Sequence, residues 1–230
     1  MQSKSSMDTD LVLTVITPTM GRPSLDALIM AIDRQTITSA IFHILLWDDK
    51  RDPWAHAPGY YESTRRRSLI MLPGSGRNGA APGSALRAVG LMAVQTPWVT
   101  FADEDVRWDP DHAEAILAAA SGRQWATSLR RVWSPQLAYL GVDRFEAIGD
   151  APGRLVDYEM SDNNLMVFRR ELGTAAAVLY RETRDYNDDR LMYAFLKQRA
   201  GQPGRTGRPT IDHICPDRLV GFFSQHCSPS

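Results

Sequence analysis

The sequence predicts an α/β domain in three layers, helices on either side of a mostly parallel, mixed sheet. Three observations predict it. Short β-rich runs alternate with longer helical ones through the first half of the chain, the pattern of βαβ units. The first strands are apolar on both faces, as strands sandwiched between helical layers must be. Proline stands where helices should begin, at Pro23, Pro82 and Pro110, a position whose N–H has no helical partner to lose.

In chain order, Leu11 to Thr17 forms the first strand, and the helix after Pro23 repeats Leu25, Leu28, Ile29 and Ile32 at helical spacing. Ile41 to Trp47 is a second buried strand that stops at Asp48-Asp49, and Ser68 to Leu72 is a third. The helix opened by Pro82 carries Leu86, Val89, Gly90 and Ala93. Trp98 to Ala102 is a fourth strand, ending in Asp103-Glu104-Asp105, and Asp109-Pro110 caps a helix over Ala113 to Ala120. Beyond residue 121, Trp125 to Val132 and Gln136 to Val142 flank Ser134-Pro135 and read as a hairpin, so the topology turns mixed. Asn164 to Phe168 adds a strand and Glu171 to Tyr180 a helix. Asp188 to Arg199 is an amphipathic helix with Leu191, Met192, Phe195 and Leu196 on one face. Gly201 to Pro209 reads as a mobile loop, and Leu219 to Phe223 as a piece of the tail that docks. No repeat or second boundary interrupts the chain, which is expected to be one domain over 1–230, with 11–121 and 122–230 as its two parts.

Composition narrows the function. The chain carries 26 basic and 27 acidic side chains for a formal net charge of −1, which removes the whole-surface case for nucleic acid or an anionic membrane. An anionic partner has to be met by a local cluster. A chain of 230 residues buries a core without disulfides or structural metal. Cys215 and Cys227 are its only cysteines, a sparse use that fits a reducing compartment, the cytoplasm. Met1 to Asp10 lacks the apolar core of a secretion signal, and no run is long enough for a membrane-spanning helix.

Polar punctuation ends three of the first four strands: Thr17-Pro18-Thr19, Asp48-Asp49 and Asp103-Glu104-Asp105. In an open α/β sheet the ligand crevice lies beyond the carboxyl ends of the strands, so these residues should share one rim. Two carboxylates at Asp103-x-Asp105 raise each other's pKa, and a hard divalent cation with oxygen ligands relieves the repulsion. Acids capping the next helix explain the same residues equally well.

Val15-Ile-Thr-Pro-Thr-Met-Gly-Arg-Pro, the strand closing on Asp48-Asp49, and Trp98-Val-Thr-Phe-Ala-Asp-Glu-Asp-Val-Arg-Trp-Asp-Pro-Asp-His together resemble the GT-A glycosyltransferases, family 2 in particular, over most of residues 11–120. The resemblance implies a GT-A fold, a nucleotide-binding first part and an acceptor-binding second part. It implies that Thr17, Pro18 and Arg22 line a nucleotide pocket, that Asp48 or Asp49 accepts a hydrogen bond from the base, and that Asp103 contacts ribose, with Glu104 in the same set. Asp105 would bind Mn²⁺ or Mg²⁺. Arg184-Asp-Tyr-Asn-Asp-Asp-Arg resembles the segment that supplies the base taking the acceptor's proton, here Asp189 first and Asp188 second. The family commonly has Glu-Asp there, where this chain has Asp-Asp. Asp162 and Asn163 would touch sugar hydroxyls, and His213 would add a metal ligand. The implied activity is transfer of a sugar from a nucleoside-diphosphate donor, UDP-linked, to an unknown acceptor.

Other signals compete. Gly74-Ser-Gly-Arg-Asn-Gly79 formally matches a dinucleotide fingerprint, but no ribose-binding acid follows at the right distance. An NAD-dependent oxidoreductase is therefore the weaker reading, and in the transferase reading Arg77 pairs with phosphate. A nucleotide-sugar binding protein without transferase activity is the nearer competitor. Arg65 to Arg67 reads as a solvated junction. Trp47, Trp98 and Trp125 read as core, whereas Trp54 and Trp133, in loop surroundings, suit stacking on a sugar or a base.

Overall fold

Alternation along the first strand decides how the layers assemble. Leu13 and Val15 turn to one side of the sheet and Ile16 to the other, all fully buried. The structure, a computed structural model, describes residues 12–37, 41–48, 66–72, 83–143, 160–182 and 188–228. Asp49, Trp54, Arg65, Arg77 and the 74–79 loop lie outside these residues. The elements are β1 (Leu13–Thr19), α1 (Ser24–Asp33), β2 (Ile41–Trp47), β3 (Arg66–Met71), α2 (Ser84–Ala93), β4 (Trp98–Phe101), β5 (Val106–Trp108) and α3 (His112–Ala119). There follow β6 (Trp125–Trp133), β7 (Tyr139–Asp143), a 3₁₀ turn (Asn163–Leu165), β8 (Met166–Arg169), α4 (Arg170–Glu182), α5 (Asp188–Ala200), β9 (Gly204–Ile214), α6 (Asp217–His226) and β10 (Cys227–Ser228).

The sheet runs β10-β7-β6-β8-β4-β1-β2-β3, with β9 joined to β6 and β5 joined to β9. The four strands β3, β2, β1 and β4 are parallel. β8 enters antiparallel between β4 and β6, the hairpin partner β7 is antiparallel to β6, and β9 is parallel to β6. Helices α1 and α3 cover one face with Leu28, Ile32, Ala113 and Ile116. Helices α2, α4 and α5 cover the other through Leu86, Leu91, Ala176, Tyr180, Met192 and Leu196. Gly90 lets α2 lie against the sheet, since a Cβ there would stand 2.6 Å from Ile16 Cγ2 and 2.9 Å from Leu46 Cδ1. No helix among the described residues is long and apolar enough to cross a membrane.

Several expectations change. Residues 204–209, expected in a loop, open the strand β9. The glycine that suggested mobility serves a close approach, because a Cβ on Gly204 would collide with the Ala119 carbonyl oxygen. Arg66 and Arg67 lie inside β3, and Arg67 is no solvated charge: its side chain is 3% exposed and pairs with Asp33 at 2.6 Å. Val89 faces solvent rather than the core, as does Leu191, because the inward faces of their helices are Leu86-Gly90-Leu91 and Met192-Tyr193-Leu196. Asp109 does not cap α3 with its side chain, which is drawn to Arg131 instead. The tail does dock: α6 buries Phe223 against Val132 and Cys215.

Candidate functional site

The carboxyl ends of β1 and β4 meet the turn before β8 and the first turn of α5 at one rim. At the first βα turn, Thr19 donates its hydroxyl hydrogen to Glu104 Oε2 (2.6 Å), and the backbone N–H of Arg22 donates to the same oxygen (3.1 Å). The Arg22 guanidinium stays 62% exposed, 3.3 Å from a Glu104 carboxylate that is nearly buried. This pins the backbone and leaves a steered cation at the surface. Pro18 lies beside Gly83 at the entrance to α2. Thr17 is fully buried with its hydroxyl 2.9 Å from His43 Nε2, so it supports the rim from beneath rather than lining it. His43 also accepts from Arg67 at Nδ1, and burial, aided by Arg67, holds its pKa well below the usual value. Asp48 is buried at the end of β2, with its N–H on the Thr19 carbonyl (2.9 Å).

Two buried arginines organise the carboxylates. Arg87, on the inward face of α2, binds both oxygens of Asp103 (2.6 and 2.7 Å), reaches Asp188 at 3.4 Å and lies over the Phe101 ring. Burial opposes its charge, but Asp103 and Asp188 outweigh that and raise its pKa. Asp188 also accepts from Ser84 (3.1 Å) and Asn163 Nδ2 (3.4 Å). Asp189, half-buried, accepts from the Asn163 backbone N–H (3.2 Å), while the Tyr180 hydroxyl donates to Asn163 Oδ1 (2.6 Å). Asn164 binds Asp103 through its side chain, as acceptor for the Asp103 N–H (2.6 Å) and donor to Oδ2 (3.1 Å).

Arg130, on β6, is 1% exposed and bridges Asp143 (2.8 Å) and Asp162 (2.5 Å), with Phe223 against its guanidinium. Burial works against ionisation of Asp162, and Arg130 reverses the balance, lowering its pKa. Asp105 is raised to about 7, first by burial and then by the Asp103 and Asp162 carboxylates. Its backbone carbonyl accepts from Ile214 N–H, and its neighbour Val106 pairs with His213 across the β5–β9 ladder. His213 is lowered to about 3 by burial and then by Arg130, so its imidazole is neutral. Its buried Nδ1 makes no hydrogen bond among the described residues.

The rim thus brings together Glu104 with Arg22, Asp103 with Asp188, Asp162 with Asn164, and Asp105 with the strand of His213. Among the described residues no three His, Cys, Asp or Glu side chains stand close enough to form a ready metal cluster. The donor types still fit a hard cation: a carboxylate pressed by two others, and a neutral imidazole with an unused nitrogen. Sequence reasoning missed Arg87, Arg130 and Asn164. A signal existed for the arginines. Arg87 shares its helical face with Gly90 and Leu91, and Arg130 alternates with Ser128 and Val132, all four neighbours being buried.

No protein-family profile and no curated protein matches the chain. Solved structures do. Staphylococcus aureus TarS 1–349 superposes with a TM-score of 0.65 at 15% identity, over 89% of this chain and 60% of that one. The complex of TarS 1–349 with UDP-GlcNAc gives 0.63 at 14% identity over 89% and 59%, and the complex with UDP gives 0.65 at 14% over 96% and 67%. The chain therefore spans about 60% of the TarS 1–349 structures, and 37% of the longer TarS structure. At this identity the likeness is one of fold, and the GT-A-type α/β fold expected from the sequence is the fold of this chain.

Proposed function

We propose that the chain is a metal-dependent glycosyltransferase that moves a sugar from a nucleoside-diphosphate donor, UDP-linked, to a hydroxyl acceptor. The observation that carries this reading is the convergence of Asp103, Asp105, Asp162, Asp189 and the His213 strand on one rim. It does so in a fold that TarS also has, and TarS was crystallised with UDP and UDP-GlcNAc.

In this reading Pro18, Arg22, Asp48, Asp49, Arg77 and Asp103 meet the nucleotide, with Thr17 and Glu104 holding the turn that presents them. The exposed Arg22 guanidinium is suited to the diphosphate. Asp105 and His213 would hold Mn²⁺ or Mg²⁺, with His213 favouring Mn²⁺. When bound, such a cation supplies Lewis-acid stabilisation of the charge that develops on the leaving diphosphate. Asp162 would meet the sugar hydroxyls, whereas Asn163, expected beside it, is 1% exposed with its side chain held by Asp188 and Tyr180 and supports the turn from beneath. The base that takes the acceptor hydroxyl's proton is Asp189. Asp188 is the poorer candidate, since it is 7% exposed and already accepts from Ser84, Arg87 and Asn163.

Titration calorimetry with UDP, with and without Mn²⁺, tests the first step: binding should require Mn²⁺ and be lost in Asp105→Ala. Turnover across a donor panel that includes UDP-GlcNAc tests the second, and should vanish in Asp189→Ala while UDP binding persists. UDP binding without turnover of any donor would make the chain a binding protein. NADH binding without UDP binding would overturn both readings.

A further inference from the structure

The β6–β7 hairpin has a second, outward face that the rim does not use. Side chains alternate along β6, so Arg130 and Val132 turn to the side covered by α6, and Arg131 and Trp133 to the other. There Trp133 and Tyr139 meet with ring centroids 5.1 Å apart at 52°. Tyr139 is 39% exposed, and Leu137, in the turn between them, is 56% exposed. Leu137 also has φ of 62°, the one positive φ on a residue other than glycine among the described residues. An L side chain disfavours that region, so the turn holds an apolar side chain toward water against a backbone penalty.

Polar groups fix the rings from the side. The Trp133 indole N–H donates to Asp212 Oδ1 (2.8 Å), Arg131 Nε donates to the same oxygen (2.6 Å), and Arg131 Nη2 donates to Asp109 (2.5 Å). Arg107, exposed, stands opposite Asp212 in the β5–β9 ladder. Two cations and two anions therefore share this face, which offers no net attraction to nucleic acid or an anionic bilayer. By contrast, the groove between α2 and α4, where Met92 and Val178 are exposed, has Thr174 as the one polar side chain among its described lining residues.

We infer that Trp133 and Tyr139, with Arg131 and Asp212 at their edge, form a carbohydrate-binding platform for a neutral saccharide chain. A pyranose ring presents apolar C–H faces and edges of hydroxyls that both donate and accept. Rigid aromatic faces flanked by a fixed carboxylate and guanidinium match both halves of that chemistry. Trp133 pairs with Ile214, next to His213, but faces the opposite side of the sheet. The platform therefore holds a distal stretch of chain rather than the reacting hydroxyl. Its role as an acceptor grip rests on the transferase reading; saccharide binding itself does not.

The test titrates the full chain with maltohexaose, cellohexaose and chitohexaose in the absence of donor, by calorimetry and tryptophan fluorescence. At least one should bind, and Trp133→Ala and Tyr139→Ala should each weaken it by about tenfold or more, Trp133→Phe by less, with UDP binding unchanged in all three variants. Failure of all three saccharides to bind, or binding unaltered in both alanine variants, overturns the platform. So does binding to anionic phospholipid vesicles that those variants abolish, which would make the face a membrane contact. Saccharide binding with no UDP binding by the parent chain removes the transferase reading and leaves the platform standing.

Discussion

Arg87 and Arg130 are the same device set in two places, a buried guanidinium between two carboxylates, and they differ in which neighbouring groups are left without a partner among the described residues. Around Arg87 the carboxylates are well supplied: Asp103 has Asn164 in addition, and Asp188 has Ser84 and Asn163. Around Arg130, Asp162 likewise accepts from the Asn164 backbone and side chain (2.8 and 2.7 Å), and the contrast lies in the two groups beside it. Asp143 and Asp162 claim the cation, while Asp105 is pushed to about 7 beside them and the Nδ1 of His213 is left without a hydrogen bond among the described residues. A carboxylate held at about 7 and a buried imidazole nitrogen without a hydrogen bond among the described residues are what the Arg130 side adds to the rim, whereas on the Arg87 side the buried atom so placed is the guanidinium's own Nε.

Removing each arginine tests the difference most directly. Arg130→Met removes the cation beside Asp143, whose side chain is completely buried, and should cost about 3–5 kcal/mol in urea unfolding. Arg87→Met should cost less, about 2–4 kcal/mol, because Asp103 is 29% exposed and can turn to water. A larger loss at Arg87 would reverse the ranking of the two centres. Gly90→Ala addresses how Arg87 is placed: the added methyl must push α2 off Ile16 and Leu46, at about 1–3 kcal/mol. The UDP affinity of that variant, measured beside its stability, shows whether the Arg87 centre tolerates a shifted helix.

Acid sensitivity should belong partly to the Arg130 side. His213 has its pKa lowered from 6.5 to about 3, so below pH 6.5 the unfolded chain binds a proton that the folded chain refuses, and stability falls as pH falls. Between pH 6.5 and 5 this one group contributes about 1–2 kcal/mol of that fall, and His213→Gln should make the acid limb shallower by as much. An unchanged limb would assign the sensitivity to His43 and His112, which are held neutral by burial as well. The smallest effect is expected at Arg22→Ala. Its pair with Glu104 is largely exposed on the arginine side, so thermal unfolding should move by less than about 0.5 kcal/mol, even though the transferase reading has UDP affinity drop.

The parallel half of the fold was legible because its cause is local. A strand apolar on both faces, such as Ile41–Trp47, has to be interior, and the observed strand has those ends. The helix after Pro23 buries the four residues that its spacing selects. β9 was not legible, since Gly204-Arg-Thr-Gly-Arg-Pro209 carries loop composition and becomes a strand only because β6 offers it a partner, β5 joining further along at Ile211 to His213. The candidate site divides along the same line. Asp103, Asp105 and Asp188-Asp189 stood out as charge clusters adjoining a strand end or a helix start. Arg87 stood alone in an apolar run and Arg130 beside only another arginine, with carboxylate partners 13 to 101 residues away.

The sequence by itself determined the periodicities, the layered α/β class and the acids gathered at strand ends, because side-chain spacing and turn chemistry act over a few residues. Only the tertiary structure decided which acids are neutralised and which are left wanting. That depends on low-dielectric contacts between β4, β6, β9 and α2, where an arginine remote in sequence sets the charge of an aspartate beside it.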